Sequence, residues 1–164
     1  MIVNKTYPIT KNYDPKDLLE ETKEAFKKMQ NDAYADGITL WIVSGYRSYE
    51  TQVSIYNDYV KTSSKEDADT YSARPGYSEH QTGYVMDLND ATSNFEDTKE
   101  AIWLEKNCAK YGFIIRYPKG KDNSTGYKYE PWHLRYIGEE KAKIIMESGL
   151  SLEEYYGITS KYKK

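Results

Sequence analysis

The sequence is poor in two residue types that often carry metal or redox chemistry, because its 164 residues include two histidines and one cysteine. The single cysteine, Cys108, cannot form an intrachain disulfide. A nucleophilic role for Cys108 would require an activating histidine, and free cysteines are often buried and inert. Its spacing from Ala101, Leu104 and Tyr111 fits one apolar helix face. We therefore expect Cys108 to lie in the core.

The sequence also lacks long apolar runs and a basic patch. No segment has the apolar length needed to span a membrane, and Met1–Lys5 lacks the apolar stretch of a secretory signal. The formal net charge of -3 argues against a nucleic-acid partner. No repeat, low-complexity segment or linker divides the chain, so we expect a single domain over residues 1–164.

Both histidines lie near acidic residues in the sequence. A catalytic zinc ion typically has three protein ligands and keeps its fourth position for water or substrate. With two imidazoles available, a His/Asp/His centre has one natural assignment, which is His80, Asp87 and His133. Glu130 then remains as an unligated carboxylate that can accept a proton from water. The alternative for each histidine is an ordinary packed and hydrogen-bonded side chain.

The spacing of these residues requires the backbone to bend. Residues three or seven apart in a regular strand point to opposite faces, so neither acid–histidine pair converges in a straight strand. Gly83 lies inside the first pair and Pro131 inside the second, and both residue types interrupt regular strands. We expect bends at these two positions. The helical zinc signature, two histidines separated by a Glu-containing tripeptide, is absent, which excludes that protease class.

Four motifs follow one another along the chain. They are Ser44–Ser48 (SGYRS), Gly76–Gly83 (GYSEHQTG) leading to Met86–Leu88 (MDL), Tyr111–Pro118 (YGFIIRYP) and Tyr129–Tyr136 (YEPWHLRY). Together they resemble the VanY-type zinc D-alanyl-D-alanine carboxypeptidases, over a core of about residues 38–138. The resemblance implies that His80, Asp87 and His133 bind zinc and that Glu130 is the catalytic base.

The same resemblance nominates contacts to the substrate. It implies that Arg47 faces the scissile carbonyl, where a guanidinium can stabilise developing negative charge. It also implies that Gln52 and Ser78 orient the end of the peptide. Trp132 is expected to fix the direction of His133 or to form a wall of the pocket. Arg74 and Arg116 are secondary candidates outside the catalytic set.

The resemblance implies an extracytoplasmic, monomeric enzyme that removes the C-terminal D-alanine from peptidoglycan stem peptides. A removed leader or anchor is then expected. Three alternatives remain: an L,D-carboxypeptidase acting on tetrapeptide stems, a zinc-dependent module that binds cell-wall peptide without cutting it, and a structural domain with an incidental zinc. A pure binder needs no base, and a structural zinc needs a fourth ligand, for which the chain offers no third histidine.

Periodicity and capping signals predict the order of the secondary structure. Five helices are predicted. The first begins at Asp14 and stops before Gly37, the second runs from the Ser48 cap to about Lys61, and the third runs from Asp97 to Gly112. The fourth covers 139–148, and the fifth starts at the Ser151 cap. The predicted strands cover 38–44, 84–88, 113–117 and 127–136, the last interrupted at Pro131. Segments 62–79 and 118–126 are predicted loops. This pattern predicts an α+β fold in which a small antiparallel sheet carries the zinc site and helices surround it.

Overall fold

The structure is a computed structural model that describes residues 1–163, so that Lys164 of the predicted domain lies outside the described residues. The helices in this range are α1 (Glu20–Ala35), α2 (Tyr49–Thr62), α3 (Lys65–Tyr71), α4 (Lys99–Asn107), α5 (Asp122–Thr125), α6 (Glu139–Ser148) and α7 (Leu152–Tyr156). The strands are β1 (Ile42–Ser44), β2 (Val85–Leu88), β3 (Phe113–Tyr117) and β4 (Glu130–Tyr136). No helix among residues 1–163 is both long enough and apolar enough to cross a bilayer.

The four strands form one antiparallel sheet in the order β1-β2-β4-β3. The predicted α+β class is therefore confirmed. Strands β2 and β4 occupy the centre of the sheet, and both are largely buried. Each of these two strands therefore has a neighbouring strand on both sides, and this fixes the positions of its side chains.

Helices cover the sheet through two apolar clusters. The larger cluster joins α1 and α4 to the sheet and includes Phe26, Leu104 and Cys108. Cys108 is fully buried, as predicted. The smaller cluster joins α6 and α7 to Ile114 of β3. Because successive strand residues point to opposite faces, Ile114 contacts this second cluster while its neighbour Phe113 contacts the first.

The prediction that α1 begins at Asp14 is wrong. Lys16 has a left-handed backbone conformation with φ of 69°, which stops a helix from continuing after Pro15. Asp14 instead accepts a hydrogen bond from the Lys16 backbone N–H, and α1 begins at Glu20. The predicted stripe is nevertheless buried, and its members are Leu18, Thr22, Phe26, Met29 and Ala33.

Strand β1 is shorter than the predicted 38–44, because side chains bond the backbone that precedes it. Asn89 accepts from the Trp41 N–H and donates to the Thr39 carbonyl, and Gln30 donates to the Leu40 carbonyl. Helix α2 agrees with the prediction, since Ser48 Oγ accepts from the Thr51 N–H.

Two predicted loops contain helices, and several other predicted boundaries differ. Segment 62–79 includes α3, whose N-terminus is capped by Ser64, and segment 118–126 includes the single turn α5. Helix α4 is capped by Thr98 rather than Asp97, and it ends at Asn107, where a 3-10 turn over Cys108–Tyr111 continues to Gly112. Strand β4 begins at Glu130 and continues through Pro131. Helix α6 covers the predicted residues, α7 begins after Ser151 as predicted, and the Ser151 capping box is confirmed.

Candidate active site

Three buried side chains converge at one end of the two central strands. His80, Asp87 and His133 each offer a potential ligand atom, and these atoms lie within 4.8 Å of one another. Asp87 on β2 and His133 on β4 are directly opposite in the antiparallel register. His80 lies in a 3-10 turn, Glu79–Thr82, that immediately precedes β2. The structure thus brings together the three residues that the sequence nominated.

The turn that delivers His80 ends at Gly83, where the sequence predicted a bend. Gly83 has φ of 79°, a left-handed conformation that favours glycine. A Cβ at this position would lie 3.1 Å from the Asp17 carbonyl oxygen and 3.1 Å from Leu19 Cγ. The chain therefore reverses tightly at Gly83 and turns the His80 ring toward Asp87.

Glu130 and His133 converge because β4 contains a bulge. The register changes from Ile115 opposite Leu134 to Tyr117 opposite Glu130, so two steps along β3 match four along β4. The two extra residues of β4 change the direction of the side chains that precede them. Glu130 Oε2 consequently lies 3.4 Å from His133 Nδ1, although the two residues are three apart in a strand.

The His80 ring presents Nε2 to the cluster. Its Nδ1 lies 2.7 Å from the Gly45 carbonyl oxygen, and a carbonyl can only accept, so Nδ1 carries the hydrogen. Nε2 then has a free lone pair 3.3 Å from Asp87 Oδ2. Burial lowers the pKa of His80, which favours the neutral ring that a metal ion requires.

The His133 ring presents the other nitrogen. Its Nδ1 lies 3.2 Å from Asp87 Oδ1, and its Nε2 lies 3.6 Å from Glu79 Oε2 on the opposite side. Burial alone would lower the pKa of His133, but the nearby carboxylates of Asp87, Glu130 and Glu79 outweigh burial and hold that pKa well above its usual value. Three carboxylates around one ring make this a favourable place for a cation.

The donor set fits a zinc ion. Nitrogen and oxygen ligands at about 2.0–2.1 Å in a tetrahedron lie about 3.4 Å apart. The Asp87 oxygens lie 3.3 Å and 3.2 Å from the two facing ring nitrogens. Among the described residues, His80 Nε2 and Asp87 Oδ1 are buried without a hydrogen-bond partner, and a metal ion would satisfy both atoms.

Glu130 lies at the edge of this cluster, with 13% of its side chain exposed. Burial raises the pKa of Glu130, and the nearby Asp87 carboxylate raises it further, while His133 and Arg47 oppose the shift. A raised pKa moves a carboxylate toward the range in which it can both accept and return a proton near neutral pH.

Arg47 lies on the turn between β1 and α2, as predicted. Its N–H donates to the His80 carbonyl at 3.1 Å, and its Nη1 donates to Gln52 Oε1 at 3.1 Å. Gln52 Nε2 donates in turn to the Ala73 carbonyl at 2.8 Å. Both ends of the Gln52 amide thus form hydrogen bonds within the protein, and its oxygen holds Arg47.

These groups line one cleft with a volume of about 420 Å³. The predicted contacts Arg47, Gln52, Ser78 and Trp132 all line it together with the three clustered side chains and Glu130. Ser78 Oγ also accepts from the His80 N–H at 3.3 Å. Arg74 and Arg116 do not line the cleft. Arg74 is paired with Asp69, and Arg116 is paired with Glu79 and Glu153.

Glu79 is the residue of this region to which the sequence analysis gave no role. Its side chain is fully buried beneath the cleft and accepts from Arg116 and Arg135. Burial alone would raise the pKa of Glu79, but the two guanidinium groups hold it well below its usual range. The sequence signal that could have identified Glu79 is its position directly before His80, a candidate ligand.

The chain is similar to known carboxypeptidases. The family model VanY, described as D-alanyl-D-alanine carboxypeptidase, matches residues 15–139. A putative carboxypeptidase of Bacillus subtilis, YodJ, is 41% identical over 94% of this chain and 66% of its own length. This chain spans 43% and 64% of two enterococcal D-alanyl-D-alanine carboxypeptidases.

Two solved structures are also similar over nearly the whole chain. The LdcB LD-carboxypeptidase is 49% identical, with a TM-score of 0.89, over 99% of this chain and 88% of its own. The vancomycin-resistance D,D-pentapeptidase VanY, in a structure with Zn(II), is 35% identical, with a TM-score of 0.83, over 95% of this chain and 97% of its own. This chain belongs to the VanY family of D-alanyl-D-alanine carboxypeptidases.

Proposed function

We propose that the chain is a zinc-dependent carboxypeptidase that removes the C-terminal D-alanine from peptidoglycan stem peptides. The observation that carries the proposal is the convergence of three buried ligand atoms with an unligated carboxylate beside an open cleft. A structural metal site would be closed by a fourth protein ligand.

In this proposal His80 Nε2, Asp87 and His133 Nδ1 hold the zinc ion. A bound zinc ion would supply Lewis-acid chemistry, which lowers the pKa of water and polarises a carbonyl. The support from this structure is the ligand spacing and the unpartnered donor atoms described above. Support from the family is the VanY D,D-pentapeptidase structure that contains Zn(II).

Glu130 is the proposed general base. Its carboxylate accepts a proton from the attacking water and later gives a proton to the departing amine, so that one group serves both steps. The bulge in β4 holds Glu130 Oε2 within 3.4 Å of His133 Nδ1, which places the carboxylate beside the metal position.

Arg47 is the proposed electrostatic catalyst. Arg47 lines the cleft, and its buried Nε has no hydrogen-bond partner among the described residues, so the guanidinium is not fully paired with protein acceptors. A guanidinium can stabilise the oxyanion that forms at the scissile carbonyl. We assign Gln52 to holding Arg47, and Ser78 and Trp132 to the walls that orient the peptide.

The bond that is cut connects D-alanine either to an L-residue or to a second D-alanine. The D,D bond is the expectation from the sequence motifs. The L,D bond is favoured by the greater identity to the LdcB LD-carboxypeptidase, 49% against 35% for the D,D-pentapeptidase. We therefore propose L,D cleavage of tetrapeptide stems as the principal activity and D,D cleavage of pentapeptides as the second candidate. Either substrate implies that the protein acts outside the cytoplasmic membrane.

Defined tri-, tetra- and pentapeptide stems test the proposal, with products identified by mass. We expect zinc-loaded protein to release D-alanine from the tetrapeptide faster than from the pentapeptide, and a chelator to stop release. Faster release from the pentapeptide would establish the D,D alternative. Peptide binding without release would establish the non-catalytic binding module, and release that persists without metal would disprove the zinc mechanism.

A further inference from the structure

A group of buried charges lies behind the His133 ring, next to Nε2 rather than next to the Nδ1 that faces Asp87. Glu79 Oε1 accepts from Arg116 Nε at 2.8 Å and from Arg135 Nη1 at 3.0 Å. The second oxygen of Glu79, Oε2, faces His133 Nε2 at 3.6 Å. The side chains of Glu79 and Arg116 have no exposed surface. Such groups remain charged in a protein interior only when partners surround them.

The group continues from Arg116 to the last helix of the chain. Arg116 Nη1 and Nη2 donate to the two carboxylate oxygens of Glu153 on α7, at 2.8 Å and 2.6 Å. Asn4 Nδ2 also donates to Glu153 Oε1, at 3.1 Å. Asn4 and Glu153 both lie outside residues 15–139, which the family model matches. The support behind His133 therefore includes residues from outside the family segment.

One contact in this group remains incomplete. Glu79 Oε2 and His133 Nε2 are both buried, and neither has a hydrogen-bond partner among residues 1–163. They face each other across 3.6 Å, slightly more than an ordinary hydrogen bond. A buried donor and a buried acceptor without partners are each costly, and a shift of a few tenths of an ångström would satisfy both.

We propose that Glu79 is a positioning residue for His133, and that Glu153 supports it through Arg116. Glu79 accepts the Nε2–H of His133, which fixes the tautomer that leaves the Nδ1 lone pair directed at Asp87 and the metal position. A carboxylate that binds the far nitrogen of a ligating histidine also makes the ring a better ligand. The inference rests on the proposed zinc site.

The hydrogen-bond donors around Glu79 and Glu153 explain why we expect glutamine to be a poor replacement for either residue. A glutamine offers one acceptor oxygen and two N–H donors, whereas Glu79 faces donors on both oxygens. The same holds for Glu153, whose oxygens both accept from Arg116. In Glu153→Gln, Arg116 would keep Glu79 as its one carboxylate partner and would neutralise more of the Glu79 charge. Glu79 would then attract the His133 N–H less strongly.

Zinc affinity, measured by competition with a chromophoric chelator, tests the proposal without reference to turnover. We expect Glu79→Gln to weaken zinc binding about 10- to 100-fold, the usual effect of removing such a partner, and Glu153→Gln to weaken it about three- to tenfold because it acts through Arg116. The visible absorption spectrum of the cobalt-substituted protein should change in both variants.

A matched control separates positioning from loss of stability. Leu152 precedes Glu153 on α7 and is buried in the smaller apolar cluster, so Leu152→Ala destabilises the same helix without removing a charge. We expect Leu152→Ala to lower Tm while leaving zinc affinity and the cobalt spectrum unchanged. If Leu152→Ala weakens zinc binding as much as Glu153→Gln does, the role of Glu153 is merely structural and this part of the proposal fails.

The wild-type protein provides a test that does not depend on folding of the variants. Two histidines give four ring-nitrogen signals in a 15N-labelled sample, so the tautomers can be assigned directly. We expect zinc-loaded protein to carry hydrogen on Nδ1 of His80 and on Nε2 of His133. Hydrogen on Nδ1 of His133, or a folded Glu79→Gln that binds zinc as wild type does, would overturn the proposal. Wild-type protein that binds no zinc would instead disprove the proposed function.

Discussion

Asp87 and His133 are directly opposite each other on β2 and β4, and 3.2 Å separates Asp87 Oδ1 from His133 Nδ1. Opposite residues of an antiparallel pair have Cβ atoms about 4.5–5.5 Å apart, so short side chains can meet. Backbone hydrogen bonds of the central strands therefore set the distance between two of the three proposed ligands. His80 alone depends on a turn for its position.

Glu130→Gln should reduce turnover about 100- to 10,000-fold, because it removes the group that transfers the proton. Zinc affinity should change little, since Glu130 is not one of the proposed ligands. Steady-state kinetics together with metal analysis check both expectations. Glu147→Gln on the exposed face of α6 is the control and should retain activity. Normal turnover in a zinc-loaded Glu130→Gln protein would contradict the assignment of the base.

Arg47→Lys should reduce kcat about 100-fold, since lysine keeps the positive charge but loses the planar fork of donors. The same substitution at Arg74 is a matched control. Arg74 binds Asp69 and does not line the cleft, so Arg74→Lys should leave kcat unchanged. Equal losses of kcat in the two variants would show that Arg47 has no special role in the reaction.

Gly83→Ala should destabilise the protein by more than Gly37→Ala does. Both glycines have positive φ, 79° and 77°, and alanine pays about 1–2 kcal/mol for that conformation. At Gly37 nothing lies within 4 Å of the new Cβ, whereas at Gly83 two atoms lie at 3.1 Å. Chemical denaturation of both variants gives the comparison. Equal losses would mean that the turn before β2 can relax.

Asp69→Asn should lower the free energy of unfolding by about 1–2 kcal/mol at pH 7, since Asp69 accepts from Arg74 and from Tyr56. Burial opposes ionisation of Asp69, but these hydrogen bonds lower its pKa overall. A lowered pKa in the folded state stabilises the protein above the unfolded value, near 3.9, and this contribution disappears as pH falls below it.

The difference between Asp69→Asn and wild type should therefore be constant near neutral pH and shrink below about pH 4. Denaturation curves at pH 7 and pH 3 check the sign. Asp67→Asn, an exposed change on the same helix α3, serves as the control. A difference that grows toward low pH would contradict the assigned pKa direction.

The proposed ligands could be predicted from the sequence because the chain has two histidines, each near an acidic residue. Spacing alone failed for Glu130 and His133, because the bulge that joins them depends on how β4 pairs with β3. Pro131 indicated an irregularity, but the resulting side-chain directions follow from the partner strand. Glu79 was missed for a similar reason, since its guanidinium partners are 37 and 56 residues away.

The fold class and the later helices were predictable from local signals, such as the Ser151 capping box. The first helix was predicted too early because Asp14 and Pro15 form a helix-start pattern, whereas Lys16 adopts a left-handed conformation. Helix α3 was missed although Ser64 caps it, because the surrounding segment is polar and short of apolar periodicity.

The bulge in β4 makes the site sensitive to the number of residues between Glu130 and His133. Strand side chains alternate from face to face, so removal of one residue from this segment would direct Glu130 away from the cleft even if every remaining side chain were kept. An exchange such as Trp132→Phe preserves the count and the direction of Glu130. Relatives and redesigned variants can therefore vary the composition of this segment more freely than its length.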